Sequence, residues 1–99
     1  MNTSYIISKK ATEDLENIWL HTYFCWSEKQ ADNYYNLLIE KIEFIARNIN
    51  IGRNIDYIKE GYRCFSAEQH IIFYIITRKN TIKIIRILHQ KMDIPSRLR

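Results

Sequence analysis

Four side chains in the second half of this 99-residue chain could move protons or hold phosphate: Arg63, Arg86, His70 and His89, with Lys83 and Glu68 near them in sequence. Such a set suggests ribonucleolytic transfer to a 2′-OH, which needs an acid, a base and cations for the charge that builds on phosphorus. The set is incomplete. On an ideal strand Arg86 and His89 point to opposite faces unless a bulge intervenes. His89 has an equally good structural use, hydrogen-bonded where a strand meets the tail. Arg63 and Arg86 could likewise staple the fold by pairing with Asp56, Asp93 or the C-terminus.

Other chemistries find less support. No Ser stands in a strand–turn–helix elbow, and no Gly-rich segment cradles phosphate. Cys25 and Cys64 are isolated, without CxxC spacing, so a zinc site is not indicated and neither a metal nor a cofactor is expected. A single disulfide between them is an option, but free thiols in a reducing compartment fit better. No apolar run approaches the ~18 residues that span a bilayer. The opening residues, Met1 to Ser8, lack the charged and apolar regions of a signal peptide, which points to the cytoplasm.

The charge is uneven. Residues 1–50 hold five Lys/Arg against seven Asp/Glu, net −2; residues 51–99 hold ten against four, net +6, for the overall +4. A basic half suits nucleic acid or an acidic protein surface, or is a solvated face. Specific DNA reading by this chain is disfavoured, because a basic recognition helix is lacking: the two expected helices together hold more acids than bases.

These side chains need elements to place them. Tyr5–Ile7 is a short β-type run, and Ser8 can cap a helix. Ala11, Leu15, Ile18, Trp19, Thr22 and Trp26 then fall on one helical face, with Glu13, Asp14 and Glu16 early in the helix. Ser27 to Gln30 reads as a capping box opening a second helix. Its apolar positions are Ala31, Tyr34, Tyr35, Leu38, Ile42, Ile45 and Ala46. The link around Cys25–Ser27 is so short that residues 9–48 must form an antiparallel helix hairpin.

After Asn48 the period changes to strands: Tyr62–Ser66, His70–Thr77 and Thr81–His89, linked by Glu68-Gln69 and Arg78-Lys79-Asn80. The expected architecture is a single α+β domain over 1–99, β-α-α-β-β-β, with the hairpin on a small, mainly antiparallel sheet. The last strand splits into Ile82, Ile84, Arg86, Leu88 and Lys83, Ile85, Ile87, His89. Both sides are largely apolar, and no remaining segment looks long enough to cover the second. That predicts a partner surface.

The order of elements, together with particular residues, resembles the ParE toxins of the RelE/ParE superfamily of toxin–antitoxin modules. Those residues are Tyr5-Ile6-Ile7-Ser8 with Ala11, Asp14-Leu15 and Ile18; Trp26-Ser27 to Gln30-Ala31, Tyr34 and Leu38; Gly52-Arg53; and Ile58-x-x-Gly61-Tyr62-Arg63-x-Phe65. His70-x-Ile72-Phe73-Tyr74 continues the match, and Ile85-Arg86-Ile87-Leu88-His89-x-x-Met92-Asp93 is its most specific part. Two features depart from the pattern. Asn50-Ile51 stands where a Pro is frequent, and no Tyr follows Tyr74 to serve RelE-type RNA cleavage.

The resemblance implies a non-enzymatic toxin that binds DNA gyrase and stabilises its cleaved-DNA state. Its implied target contacts are Arg63, Lys83, Arg86, His89, Lys91, Asp93 and Arg97, with Arg99 beyond them. It also implies neutralisation by a ParD-like antitoxin that folds on binding. That antitoxin would lie over Leu15, Trp19, Tyr74, Ile82, Ile84 and Leu88. The alternative activity is ribosome-dependent mRNA cleavage of the RelE type.

Overall fold

A computed structural model describes residues 4–98, apart from the side chain of Lys79; Arg99 lies outside the described residues. The elements are β1 (Tyr5–Ile7), α1 (Lys9–Cys25), α2 (Glu28–Arg47), β2 (Arg53–Asn54), β3 (Tyr62–Ala67), β4 (His70–Ile76), β5 (Ile82–His89) and α3 (Ile94–Leu98). The sheet order is β1-β5-β4-β3-β2, with β1 parallel to β5 and every other pair antiparallel. The hairpin and the three-strand meander stand where periodicity placed them. Two short elements, β2 and α3, are additions that no periodic pattern marks.

Ser8 ends one element and begins the next. Its Oγ accepts the Ala11 N–H at 3.0 Å, capping α1, and donates to the Ile85 carbonyl at 2.9 Å, tying that helix end to the sheet. Ser27 caps α2 in the same way, accepting the Gln30 N–H at 3.1 Å. The hairpin then buries Ala11, Leu15, Leu38, Ile42 and Ile45 against Ala67, Ile72, Tyr74, Ile82, Ile84 and Ile87 of the sheet.

Three expectations are corrected. First, the far face of the sheet is not bare. Ile55, Cys64, Phe73, Leu88 and Leu98 form a second cluster, with Ile58, Tyr62, Ile71 and Ile94 packed against it. The loop before β3 and the tail helix α3 supply this cover with single Ile and Leu side chains rather than with a long amphipathic element.

Second, β5 changes faces midway. Phe73 is opposite Arg86 but Tyr74 is opposite Ile84, so Ile85 is an extra residue, a bulge. Ile82, Ile84, Ile87 and His89 therefore face the hairpin, while Leu88 belongs to the far cluster.

Third, five of the six side chains expected to meet an antitoxin are interior. Leu15 and Leu88 are 3% and 2% exposed, and Tyr74, Ile82 and Ile84 are 0% exposed. They are occupied by the chain's own packing, and only Trp19 retains surface. Large apolar groups left outside include Phe24 and Trp26 at the hairpin tip, 77% and 78% exposed, and Tyr57 on the loop before β3, 76% exposed. Trp26 thus leaves the helical face on which its spacing placed it; it is the C-cap of α1, beyond the last packed turn.

Gly52 is required by a close approach. A β-carbon there would sit 2.5 Å from the Tyr74 hydroxyl. That hydroxyl accepts the Gly52 N–H and donates to the Ile49 carbonyl, both at 2.8 Å, which fixes the loop leaving α2.

Candidate functional site

β1 pairs with β5 only as far as Ile84, so the outer edge of β5 from Ile85 to His89 has no neighbouring strand. An unpaired edge must find other partners for its backbone groups. Ser8 takes the Ile85 carbonyl, and Asp14 of α1 accepts the Ile87 N–H at 2.9 Å. The same carboxylate accepts from Arg86 Nε and Nη2 at 2.8 and 2.9 Å, a two-pronged ion pair. Asp14 raises the pKa of Arg86 mainly through this hydrogen bonding, so the guanidinium stays charged. Asp14 therefore serves the sheet edge, and none of the acidic residues of α1 falls in its first turn.

This edge opens a groove of about 760 Å³ between α1, the start of α2, the end of β5 and the tail. Ile18, Ile87 and Leu88 give it apolar lining; His21, His70, His89, Arg86 and Arg97 supply nitrogen. Arg86 and His89 keep opposite strand faces, because the bulge lies before both. They nonetheless line the same groove, since Arg86 reaches across the open edge toward α1.

His70 sits directly across from His89, with ring centroids 5.3 Å apart. The Tyr34 hydroxyl accepts the Gln69 N–H at 3.3 Å and lies 2.7 Å from Nδ1 of His70. With His70 neutral, that hydroxyl donates to Nδ1 and the ring proton resides on Nε2. Burial, then the nearby His89 and His21, push the His70 pKa down to about 4, with Asp14 acting weakly in the opposite direction. At neutral pH His70 is an uncharged acceptor. His89 is itself engaged, Nδ1 accepting the Lys91 N–H at 3.1 Å.

Of the expected target contacts, Arg86, His89 and Arg97 meet in this groove. Lys91 and Asp93 are exposed on the tail between them, where Asp93 accepts from Ser96 Oγ at 2.6 Å. Two do not join them. Arg63, on β3, donates to the Gly52 carbonyl at 2.7 Å and so staples the loop that Tyr74 also holds. Lys83 is opposite Ile75 and Ile6 at the other end of β5. The staple expected for Arg86 is found, but with Asp14 as partner. Sequence reasoning missed His21, Asp14 and Met92 as groove residues. His21 sits on the exposed side of α1 with nothing in its spacing to mark it. A sequence separation of 72 hid the Asp14–Arg86 pair.

Both thiols are free, Cys25 exposed and Cys64 buried. Among the described residues no group of three or more His, Cys, Asp or Glu could hold a metal ion. No helix among them is long and apolar enough to cross a membrane.

A helix hairpin on one face of a five-stranded mixed sheet is a fold with solved counterparts. A chain from the "Chromosomal ParDE TA system from P. aeruginosa" matches it with a TM-score of 0.76 over 88% of this chain and 95% of that one, at 20% identity. The two chains thus share one α+β fold. Sequence carries the assignment further. The family described as "ParE toxin of type II toxin-antitoxin system, parDE" matches residues 5–94. Toxin ParE1 of Mycobacterium tuberculosis is 42% identical over 98 residues, covering 99% of this chain and all of that protein. Toxin ParE1 of Caulobacter vibrioides is 34% identical over 89 residues, 90% of this chain and 91% of that one. The chain belongs to the ParE toxin family of type II toxin–antitoxin systems.

Proposed function

We propose that this chain arrests DNA gyrase by binding and stabilising its cleaved-DNA state, and that a ParD-like antitoxin neutralises it. Family membership supports the reading, and the groove gives it a physical basis. A binding inhibitor of this kind works by favouring one state of its target over the others. The groove offers Arg97 and His89, with Arg86 fixed beside them by Asp14, and Lys91 is exposed on the adjoining tail.

The observation that carries the binding reading is the commitment of these groups. Arg86 is held by a carboxylate and His70 is held uncharged by burial and by Tyr34. Fixed cations and an uncharged imidazole make a shaped recognition surface. A phosphoryl-transfer site needs preorganised cations aimed at the charge developing on phosphorus, whereas the Arg86 guanidinium is directed at the Asp14 carboxylate.

Purified protein added to gyrase and supercoiled or relaxed plasmid tests this. Loss of supercoiling with accumulation of cleaved plasmid is the expected result. Cleavage of ribosome-bound mRNA with gyrase unaffected would overturn it in favour of the RelE-type activity.

A further inference from the structure

Two imidazoles of the β5 groove have fixed tautomers. Tyr34 donates to Nδ1 of His70 and the Lys91 N–H donates to Nδ1 of His89, so each neutral ring carries its proton on Nε2. Among the described residues neither Nε2–H meets an acceptor, and neither is sealed from solvent. Arg97 lines the same groove, and its guanidinium has no carboxylate within 4.0 Å among the described residues. Two preset neutral donors beside one guanidinium suit an oxyanion of single charge.

The other end of the groove is aromatic. From Asp14 to Trp26 the chain rises about 18 Å along α1, and the Trp26 ring, 78% exposed, lines the far end with Gln30 of α2. Among the described residues the ring contacts of the hairpin tip join Trp19, Tyr23 and Phe24, and none involves Trp26. Asp14 is spent on Arg86 and the Ile87 N–H. The remaining carboxylate of the lining is Glu68, near Tyr34 on the β3–β4 turn. A bare ring face and a set of oxyanion donors, spaced along an open groove, are the parts of a platform for stacked bases with a track for their phosphates.

We propose that the groove binds a short single strand of nucleic acid without reading its sequence. One base stacks on Trp26, and a backbone phosphate takes the two Nε2–H donors and Arg97. Glu68 repels phosphate from its own side and so keeps the backbone toward β5. An acidic peptide satisfies the donors but leaves the Trp26 face unused, and an intact duplex has no free base face to offer it. Arg86 takes no part, because Asp14 already holds it. The inference deepens the gyrase reading and rests on it for the source of the strand, the cleaved DNA.

The test is fluorescence anisotropy of a labelled ten-nucleotide oligothymidylate with the full-length toxin, gyrase being absent. Saturable binding is expected, weakened at least fivefold by Trp26→Ala and by Arg97→Ala. Arg47→Ala, at the end of α2, removes the same charge as the second variant and should weaken binding less than twofold. Thermal unfolding confirms that each variant is folded. A deoxyribose-phosphate backbone of equal length without bases should also bind at least fivefold more weakly.

An absence of binding overturns the proposal, as does a folded Trp26→Ala or Arg97→Ala variant weakened less than fivefold. Displacement of the oligonucleotide by an equal concentration of hexaglutamate overturns it in favour of a protein ligand. Oligouridylate bound more than tenfold tighter than oligothymidylate overturns DNA as the source of the strand. A toxin that binds oligothymidylate as expected yet leaves gyrase unaffected supports the strand site and contradicts the functional reading instead.

Discussion

The two sides of α1 use the same residue types to opposite ends. Facing the sheet, Asp14 is saturated: it holds Arg86 twice and the Ile87 N–H once. Facing outward, Asp32 of α2 accepts the Trp19 indole N–H and lines an open recess with Glu16, with no cation among the described residues within 4.0 Å of either carboxylate. An ion pair tied into backbone hydrogen bonds is part of the fold, whereas uncompensated charge on the surface is not. Identical substitutions on the two sides therefore separate what the fold needs from what it only carries.

The largest contrast is expected for aspartate removal. Asp14→Ala leaves Arg86, whose side chain is 19% exposed, without its partner and orphans the Ile87 N–H. The expected loss is about 2–4 kcal/mol of unfolding free energy. Asp32→Ala removes one exposed bond and should cost less than about 0.5 kcal/mol. Denaturant unfolding of both variants checks the pair; equal losses would erase the distinction.

Next in size is Tyr74→Phe. It strands the Gly52 N–H and the Ile49 carbonyl in a closed loop, at a cost of about 1–3 kcal/mol by the same unfolding measurement.

A smaller, pH-dependent effect belongs to the groove alone. His70 is held at about 4, below its ordinary 6.5, so the unfolded chain binds the proton more readily than the folded one. Its contribution to stability is complete above pH 6.5 and is lost progressively as the pH falls toward 4. Melting temperatures recorded across that range should decline less steeply in His70→Gln than in wild type. Parallel declines would place the acid sensitivity elsewhere.

Much of the frame was legible before the structure. Ala11, Leu15, Leu38 and Ile42 mark the hairpin by helical spacing, Ser8 and Ser27 mark its starts, and the apolar runs of 70–77 and 81–89 mark the meander. Periodicity failed where single residues decide. The far face is covered by Ile55, Ile94 and Leu98, which have no repeat to detect. One inserted residue, Ile85, moved Ile87 to the hairpin side and Leu88 to the far side, against strict alternation. The candidate site was half visible. The closing strand and tail named Arg86, His89 and Arg97, but Asp14 on α1, which fixes Arg86, and Tyr34 on α2, which holds the neighbouring His70, lie far away in the chain. Arg63 misled because its type suggests a target contact, while its nearest acceptor is its own loop, at Gly52.

The central claim is that the rim of the β5 groove is the surface by which the toxin acts. The direct measurement is accumulation of gyrase-cleaved plasmid with wild type, with Lys91→Ala/Arg97→Ala, and with Glu60→Lys, each confirmed folded by thermal unfolding. The account predicts cleaved plasmid with wild type and Glu60→Lys, and at least a tenfold higher protein concentration needed for the same yield with the double alanine variant. A double variant as potent as wild type would contradict it.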